Sequence, residues 1–304
     1  MELNDRAEID TSQIDDRRSG GGGGGGIGGL PIGGGGLTGI IVTLVIAVVG
    51  GYFGINTLGG DSGGQTQGDT TTLATACKQE NALDLLECRN ALYVNSIQDY
   101  WKDAYPQSFD GAYKPAQTQF FRNQTNTACG AADSGVGPFY CPGDDKVYID
   151  LSFYDVLAQQ LGAPGEFAQP YVLAHEYGHH IQDISGTEEA MRRQQQRDPD
   201  QANALSVKLE LQADCYAGAW AKNATGTDTA SGQQIFKSIT AQDIQAGLDT
   251  AAKIGDDTLQ KQAGGEINPE AFTHGTSAQR QEWFKRGYDS GSPGTCDTFK
   301  AGAL

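Results

Sequence analysis

The sequence predicts a helix-dominated α+β domain with a small sheet, preceded by one transmembrane helix. Three observations support this fold class. An uncharged apolar stretch lies near the N-terminus, two short aromatic and β-branched runs lie in the middle of the chain, and several segments with helical hydrophobic spacing follow. With 304 residues, the chain is long enough for one or two domains.

The chain begins with two segments that have too few apolar residues to form a packed core. Residues 1–19 are polar and of mixed charge, without hydrophobic periodicity, and residues 20–36 are nearly all glycine. Apolar burial in such segments does not offset the conformational entropy lost on folding. We therefore predict a disordered cytoplasmic tail over 1–19 and a disordered Gly-rich segment over 20–36.

The apolar stretch covers residues 37–58 and carries no charged side chain. At a helical rise of about 1.5 Å per residue it can span a hydrocarbon core about 30 Å thick, so a transmembrane helix is predicted. A cleaved signal peptide would begin closer to the N-terminus and would have a shorter apolar region. A buried soluble helix is rarely this long and this apolar.

Basic residues predict the orientation of this helix. Arg6, Arg17 and Arg18 precede it, whereas the first basic residue after it is Lys78. Because Lys and Arg favour the cytoplasmic side, we expect a single-pass protein of the cytoplasmic membrane with a cytoplasmic N-terminus. After a linker over 59–72, the domain formed by 73–304 would be extracytoplasmic, on the side of the periplasm or the cell wall.

Six cysteines, all of them beyond the apolar stretch, fit an oxidising compartment. Of the possible pairings, proximity in the sequence favours Cys77 with Cys88, Cys129 with Cys141 and, by elimination, Cys215 with Cys296. A continuous helix between the first two would rise about 16 Å, more than a disulfide spans, so the chain must turn there. Zinc ligation by cysteines is disfavoured because no C-x-x-C pair is present.

The central part of the chain changes from helical to strand-like spacing. The run "YVNSIQDYWKDAY" (93–105) places apolar residues on one helical face, and "GPFYCPGDDKVYIDLSF" (137–153) predicts a hairpin around Pro142–Asp145. The run "KVYIDL" (146–151) has two interpretations that remain open. It is either the sheet edge along which an extended substrate adds as a strand, or an ordinary buried strand.

The second half of the chain predicts helices over about 152–161, 170–184, 199–223, 240–254 and 277–286. Gly255 and Gly287 are the predicted ends of the last two helices, and Thr276 with Gln279 forms a capping box. The polar run over 191–203 is predicted to be a solvated linker, with a cover over the cleft as the alternative. The formal net charge of −17, without a basic cluster, argues against nucleic-acid binding.

The stretch "YVLAHEYGHHIQ" contains three of the four histidines. On a helix, His175 and His179 point the same way and can hold one metal ion, while Glu176 lies about 100° around the axis, within reach of a water on that ion. His180 lies about 100° further round and is expected to be structural. Gly178 either allows another helix to approach closely or is simply tolerated.

Catalytic zinc requires a third protein ligand, and "LELQADCYAGAW" supplies the best candidate. Glu210 and Asp214 are four residues apart on one helix face. Glu210 can complete a set of two histidines and one glutamate, while Asp214 can accept the other ring N–H of a ligand histidine and fix its tautomer. A solvated acidic pair is the alternative, but the apolar neighbours indicate carboxylates that need partners.

Three stretches, "HEYGHHIQD", "LELQADCYAGAWA" and "FTHGTSAQRQEWFKRGY", follow in this order after an Asp-Arg-Arg tail, a Gly-rich stretch and an apolar segment. In this combination the chain resembles the bacterial neutral zinc metallopeptidase family of YpfJ-like proteins over nearly its whole length. The resemblance implies a zincin-like domain of the gluzincin type, with Zn²⁺ as cofactor and His175, His179 and Glu210 as ligands.

The expected function is that of a membrane-anchored zinc metallopeptidase acting on peptide or protein substrates. Glu176 would be the general base for a zinc-bound water, and His274 would stabilise the oxyanion, unless it only satisfies loop backbone groups. A zinc-stabilised envelope interaction protein without catalysis is the alternative. A metal-free domain with a chance motif is a third possibility. No oligomeric state is predicted.

Overall fold

The computed structural model describes residues 1–18, 70–163 and 165–304. The predicted transmembrane helix over 37–58 and the Gly-rich segment lie outside these residues, as does the linker up to residue 69. Within the described ranges, no helix has both the length and the apolar character needed to cross a membrane. The first helix begins at Thr70, within the range 59–72 that was predicted to be a linker.

The described residues form a helix-dominated α+β structure, as predicted. The helices are α1 (Thr70–Ala76), α2 (Leu86–Ser108), α3 (Phe153–Gln159), α4 (Ala168–Ile184), α5 (Thr187–Arg197), α6 (Ala202–Asn223), α7 (Ala241–Lys253), α8 (Asp256–Gln262) and α9 (Ser277–Ser290). The strands are β1 (Glu2–Leu3), β2 (Ile14–Asp16), β3 (Gln117–Phe121), β4 (Gln124–Thr127), β5 (Gly130–Asp133), β6 (Phe139–Cys141), β7 (Lys146–Asp150) and β8 (Phe236–Ser238).

The largest sheet among the described residues has the strand order β2-β3-β7-β6. β2 and β3 are parallel, as are β3 and β7, and β6 forms the predicted antiparallel hairpin with β7. The run "KVYIDL" therefore contributes an inner strand, paired on both sides, so the interpretation of this run as the sheet edge is wrong. The edge strand on this side of the sheet is β6.

Residues 1–18 pack against the rest of the domain, so the prediction of a disordered tail is wrong for them. β1 pairs with β8, and β2 extends the main sheet through β3. Ile14 in β2 is only 1% exposed. The segment has few apolar residues of its own, but it completes a sheet edge that distant parts of the chain provide, which local composition cannot reveal.

The polar run over 191–203 is also more ordered than predicted. Much of it belongs to α5, and Pro199–Gln201 form a 3₁₀ turn before α6. Glu188 and Arg192 pair one turn apart on α5, and Met191 is buried. A helix with one buried apolar residue and mostly charged or polar side chains has little apolar content, so its sequence resembles that of a linker.

The helices α6 and α9 cross unusually closely, because glycines lie at their contact. A Cβ on Gly287 would be 1.8 Å from the carbonyl oxygen of Cys215, and one on Gly218 would be 2.0 Å from that of Phe284. Gly287 is thus an interior contact residue, and the predicted helix end there is wrong. The helix continues to Ser290 and ends at Gly291, which is left-handed with φ 64°.

All three predicted disulfides are present. They join Cys77 to Cys88, Cys129 to Cys141 and Cys215 to Cys296, with Cα–Cα distances of 5.4, 5.9 and 5.5 Å. The chain turns between α1 and α2 through a 3₁₀ segment, as the first pair requires. The third disulfide fixes the C-terminal residues to the middle of α6.

We expect Gly287→Ala to destabilise the domain by about 3 kcal/mol, because the added methyl group meets backbone atoms that cannot move without separating α6 from α9. Urea denaturation at equilibrium measures this change. Gly226→Ala is the matched control, since a Cβ there meets no atom within 4 Å. Equal stability of the two variants would contradict the close crossing.

Candidate metal centre

Two adjacent helices bring the predicted metal ligands together. His175 and His179 lie one turn apart on α4, and Glu210 faces them from α6. The His175 Nε2 atom is 3.1 Å from Glu210 Oε2, and the His179 Nε2 atom is 3.5 Å from Glu210 Oε1. All three side chains are buried, and one ligand atom from each lies within 4.8 Å of the others.

Gly178 allows this approach of α4 to α6. A Cβ at this position would lie 2.9 Å from the Cα atom of Ala213 and 3.1 Å from its carbonyl oxygen. Contacts this short with backbone atoms would push the two helices apart. The interpretation of Gly178 as a close-contact residue is therefore confirmed.

The spacing of the three side chains fits a zinc ion. Tetrahedral zinc with ligand bonds of about 2.0 to 2.2 Å places neighbouring ligand atoms roughly 3.3 to 3.5 Å apart. The observed separations of 3.1 and 3.5 Å match this geometry. Two imidazoles and one carboxylate form a donor set typical of catalytic zinc, which retains an open position for water or substrate.

Asp214 orients the first ligand histidine. Its Oδ1 atom accepts hydrogen bonds from His175 Nδ1 at 2.9 Å and from the Tyr171 hydroxyl at 2.6 Å. Since the carboxylate can only accept, Nδ1 carries the ring hydrogen and Nε2 keeps its lone pair for a metal. Burial alone would raise the pKa of Asp214, but Arg280 and His175 lower it to about 2, so the group is ionised.

Arg280 on α9 neutralises this buried carboxylate. Its Nε atom donates to Asp214 Oδ2 at 2.7 Å and its Nη2 atom to Asp214 Oδ1 at 2.9 Å. The guanidinium is 2% exposed, and Nη1 also donates to the Ile254 carbonyl oxygen. Sequence analysis did not single out Arg280, because its partner lies 66 residues away and no local spacing connects the two.

Gln182 has the corresponding role for the second ligand histidine. His179 Nδ1 donates to Gln182 Oε1 at 2.8 Å, which leaves Nε2 facing Glu210. The Gln182 amide in turn donates to the Leu209 carbonyl oxygen at 2.6 Å, so it also joins α4 to α6. Sequence analysis missed this residue, although its i+3 position relative to His179 is a readable signal.

The carboxylates around the candidate ligands favour a positive charge at their centre, either a proton on His175 or a metal ion. Burial alone would raise the pKa of Glu210, but the histidines around it lower the pKa below its usual range, so this ligand is an anion. Burial alone would lower the pKa of His175, yet the carboxylates of Asp214 and Glu210 raise it to about 10. The histidine pair therefore lies in a strongly negative environment that favours a cation.

Glu176 lies beside the three candidate ligands without belonging to their cluster. It lines the same cavity as His175 and His179 and is 9% exposed. Burial raises the pKa of Glu176 above its usual value, although the neighbouring histidines oppose the shift. A raised pKa makes this carboxylate a stronger proton acceptor than an ordinary glutamate.

His274 also lines this cavity, held by Asp256 at the start of α8. The Asp256 carboxylate accepts the backbone N–H groups of Thr273, His274 and Gly275, and its Oδ1 atom is 3.2 Å from His274 Nδ1. This leaves His274 Nε2 for the cavity. Burial alone would lower the pKa of His274, but Glu210 and Asp256 raise it. Asp256 was not recognised in the sequence.

His180 is directed away from the ligand cluster. Its Nε2 atom donates to the Lys114 carbonyl oxygen at 2.6 Å, and Nδ1 is 3.2 Å from the Tyr140 hydroxyl. Burial lowers the pKa of His180 to about 4. These contacts join α4 to the loop before β3 and to β6, consistent with the structural role predicted for this residue.

The cavity in front of the candidate ligands has mostly apolar walls. Pro138 and Phe139, at the start of the edge strand β6, form one side, and the opposite side comes from α3, α4 and the region between α7 and α8. The remaining apolar residues are Phe153, Val172, Ile254 and Leu259. The edge of the sheet and the metal centre thus open into the same space.

A family model described as "Putative neutral zinc metallopeptidase" matches residues 1–299. The chain belongs to this family. The match includes α4, α6 and α9, which carry the metal centre, and also the N-terminal strands. The resemblance predicted from the three sequence stretches is therefore confirmed.

Bacterial relatives cover much of the chain. It is 40% identical to YpfJ of Escherichia coli strain K12 over 271 residues, which are 89% of this chain and 88% of that protein. It is 44% identical over 221 residues to uncharacterized proteins of Mycobacterium bovis and Mycobacterium tuberculosis, with 72% of each chain covered. No solved structure matches the chain significantly.

We expect Asp214→Asn to weaken zinc affinity by about 10- to 100-fold, because the amide no longer provides the charged acceptor that orients His175. Competition with a chromogenic chelator measures this affinity. Glu282→Gln on α9 removes one negative charge from an exposed position and is the control. Identical zinc affinity in wild type and Asp214→Asn would rule out this role for Asp214.

Proposed function

We propose that this protein is a zinc-dependent metallopeptidase that hydrolyses peptide bonds at a zincin-type centre of the gluzincin kind. His175, His179 and Glu210 are the zinc ligands. The position of Glu176 supports catalysis most directly, because a site that only stabilises the fold has no need for a buried carboxylate beside its ligands. The same observation disfavours a purely structural zinc protein.

Zinc supplies a Lewis acid that polarises a peptide carbonyl and acidifies a water molecule. Glu176 takes the proton from the attacking water and then transfers it to the nitrogen of the leaving amine. Its raised pKa makes it a stronger base for the first of these transfers. The apolar cavity walls limit the access of bulk water to this exchange.

His274 stabilises the oxyanion that forms when water attacks the carbonyl. Asp256 accepts from Nδ1, and Glu210 and Asp256 raise the pKa of His274, which favours the imidazolium. In that form Nε2–H also donates a hydrogen bond into the cavity. The carboxylate also binds three successive backbone N–H groups around His274 and thereby fixes the loop. The donor is therefore oriented before the substrate arrives. This preorganisation is the main source of such transition-state stabilisation.

The substrate is an extended peptide that lies along β6. This strand ends the main sheet of the described residues, and its first residue, Phe139, reaches the cavity. Backbone hydrogen bonds to an edge strand bind a peptide largely independently of its side chains. The apolar walls then favour apolar side chains next to the bond that is cut.

The proposed location of the domain is outside the cytoplasm. All six cysteines form disulfides, which form and persist in oxidising compartments and are rare where glutathione keeps thiols reduced. Association with the membrane through the apolar stretch 37–58 is part of the proposal and rests on the sequence alone.

We expect Glu176→Gln to retain one zinc ion per chain and to lose at least about 100-fold in kcat on fluorescently labelled casein, since an amide cannot accept the proton. Elemental analysis and the proteolysis assay are run on the same sample. Glu266→Gln, at an exposed position, should keep full activity. Full activity of Glu176→Gln would refute the general base, and zinc-loaded wild type without activity would refute the peptidase.

We expect His274→Ala to lower kcat by about 100- to 1,000-fold with unchanged zinc content and a smaller change in KM, because the lost hydrogen bond forms mainly in the transition state. His274→Gln, whose amide can still donate, should recover part of the activity. Loss confined to KM would assign His274 to substrate binding instead. Steady-state kinetics on a quenched fluorescent peptide separates these outcomes.

A further inference from the structure

The N-terminal segment, residues 1–18, forms ion pairs and hydrogen bonds with polar groups of the domain. The amino group of Met1 forms an ion pair with Asp243 on α7, and the Asn4 side chain donates to the Gln234 carbonyl oxygen at 2.7 Å. The backbone N–H of Asn4 donates to the Ile235 carbonyl oxygen at 2.9 Å, next to the β1–β8 pairing. The first residues are therefore held by both side chains and backbone.

Two buried polar side chains on α2 form hydrogen bonds with this segment. Asn95 and Gln98 are each 5% exposed. Asn95 accepts from the backbone N–H of Asp10 at 2.9 Å and donates to its carbonyl oxygen at 2.9 Å, and the Gln98 amide donates to Gln13 Oε1 at 3.0 Å. Removal of the segment would leave the buried Asn95 amide without these partners, whereas Gln98 would keep its hydrogen bonds with Ala116 and Tyr113.

The last part of the segment joins the main sheet and forms ion pairs. β2 runs parallel to β3, with Ile14 opposite Thr118. Asp15 accepts from Lys146 at 3.2 Å, and Arg18 pairs with Asp16 and, at 3.2 Å, with Glu87 on α2. The charges of this segment are thus matched by charges on the domain.

We propose that residues 1–18 are a permanent part of the domain formed by 70–304 and that both occupy the same cellular compartment. The contacts described above cannot form through a lipid bilayer, because they are direct hydrogen bonds, ion pairs and strand pairing. The proposal replaces the arrangement expected from basic residues, in which the N-terminus is cytoplasmic and the domain lies outside. It is independent of peptidase activity.

The ion pairs of Arg17 and Arg18 explain why the basic residues predicted a cytoplasmic N-terminus. The positive-inside rule counts Lys and Arg as solvated charges that resist transfer across the membrane. Arg17 pairs with Asp15 at 3.0 Å, and Arg18 is bound by Asp16 and Glu87. Two of the three arginines on which the orientation rested are therefore neutralised by neighbouring carboxylates.

Cysteine labelling in intact cells tests the compartment. The full-length chain carries either Glu2→Cys, at a side chain that is 64% exposed, or Lys102→Cys on an exposed part of α2. All native cysteines are in disulfides, so a membrane-impermeant maleimide reports the new thiol alone. Labelling is compared between lysed cells and cells whose outer layer is permeabilised but whose cytoplasmic membrane is intact. A cytoplasmic protein that stays unlabelled in the second sample shows that this membrane is intact.

We expect both thiols to be labelled to the same extent in intact cells, relative to lysed cells. Protection of Glu2→Cys by more than tenfold while Lys102→Cys is labelled would overturn the proposal, because the two sites would then lie on opposite sides of a membrane. Protection of both sites to the same extent would support a shared compartment.

A cross-link tests the docking itself. Glu2 and Ser238 are partners across the β1–β8 pair, so the double variant Glu2→Cys/Ser238→Cys should form a fourth disulfide in the full-length chain. Mass spectrometry of a non-reduced digest detects the linked peptides, and the Glu2→Cys chain is the control. Absence of this link in chains that retain the three native disulfides would overturn the proposal.

Discussion

The close contact of three helices is the constraint on which the rest of the structure depends. α6 touches α4 at Gly178 and α9 at Gly218 and Gly287, in each case with no room for a methyl group. Glu210 therefore reaches the two histidines from one side of α6, while Arg280 reaches Asp214 from α9. If the contact at Gly178 widened by about an ångström, the ligand separations of 3.1 and 3.5 Å between α4 and α6 would be lost.

The buried charges depend on this packing and also reinforce it. A carboxylate removed from water destabilises a protein unless it is paired and hydrogen-bonded, and Asp214 is fully buried. Tyr171, His175 and Arg280 together supply its hydrogen bonds from two different helices. The same network sets the tautomer of His175. One set of contacts therefore holds α4 against α9 and also leaves His175 Nε2 able to bind a metal ion.

The parts of the site that follow helical spacing could be predicted from the sequence. His175, His179, Glu210 and Asp214 lie at i,i+4 spacings, which a regular helix converts directly into shared faces. Arg280 and Asp256 could not be predicted, because their partners are far away in the chain and only the tertiary fold brings them together. The disordered tail was predicted for a related reason, since residues 1–18 gain their stability from contacts with β3 and α2 rather than from apolar residues of their own.

The disulfide between Cys215 and Cys296 joins positions 81 residues apart, and the loop that it closes carries α7, α8, His274 and Arg280. A single backbone cut anywhere in that loop would leave both fragments covalently attached to each other beside the metal ligands. If the protein is the proposed peptidase, other copies and neighbouring enzymes are a constant source of such cuts. The third disulfide would keep His274 and Arg280 joined to α6, which carries Glu210, after a cut in this loop.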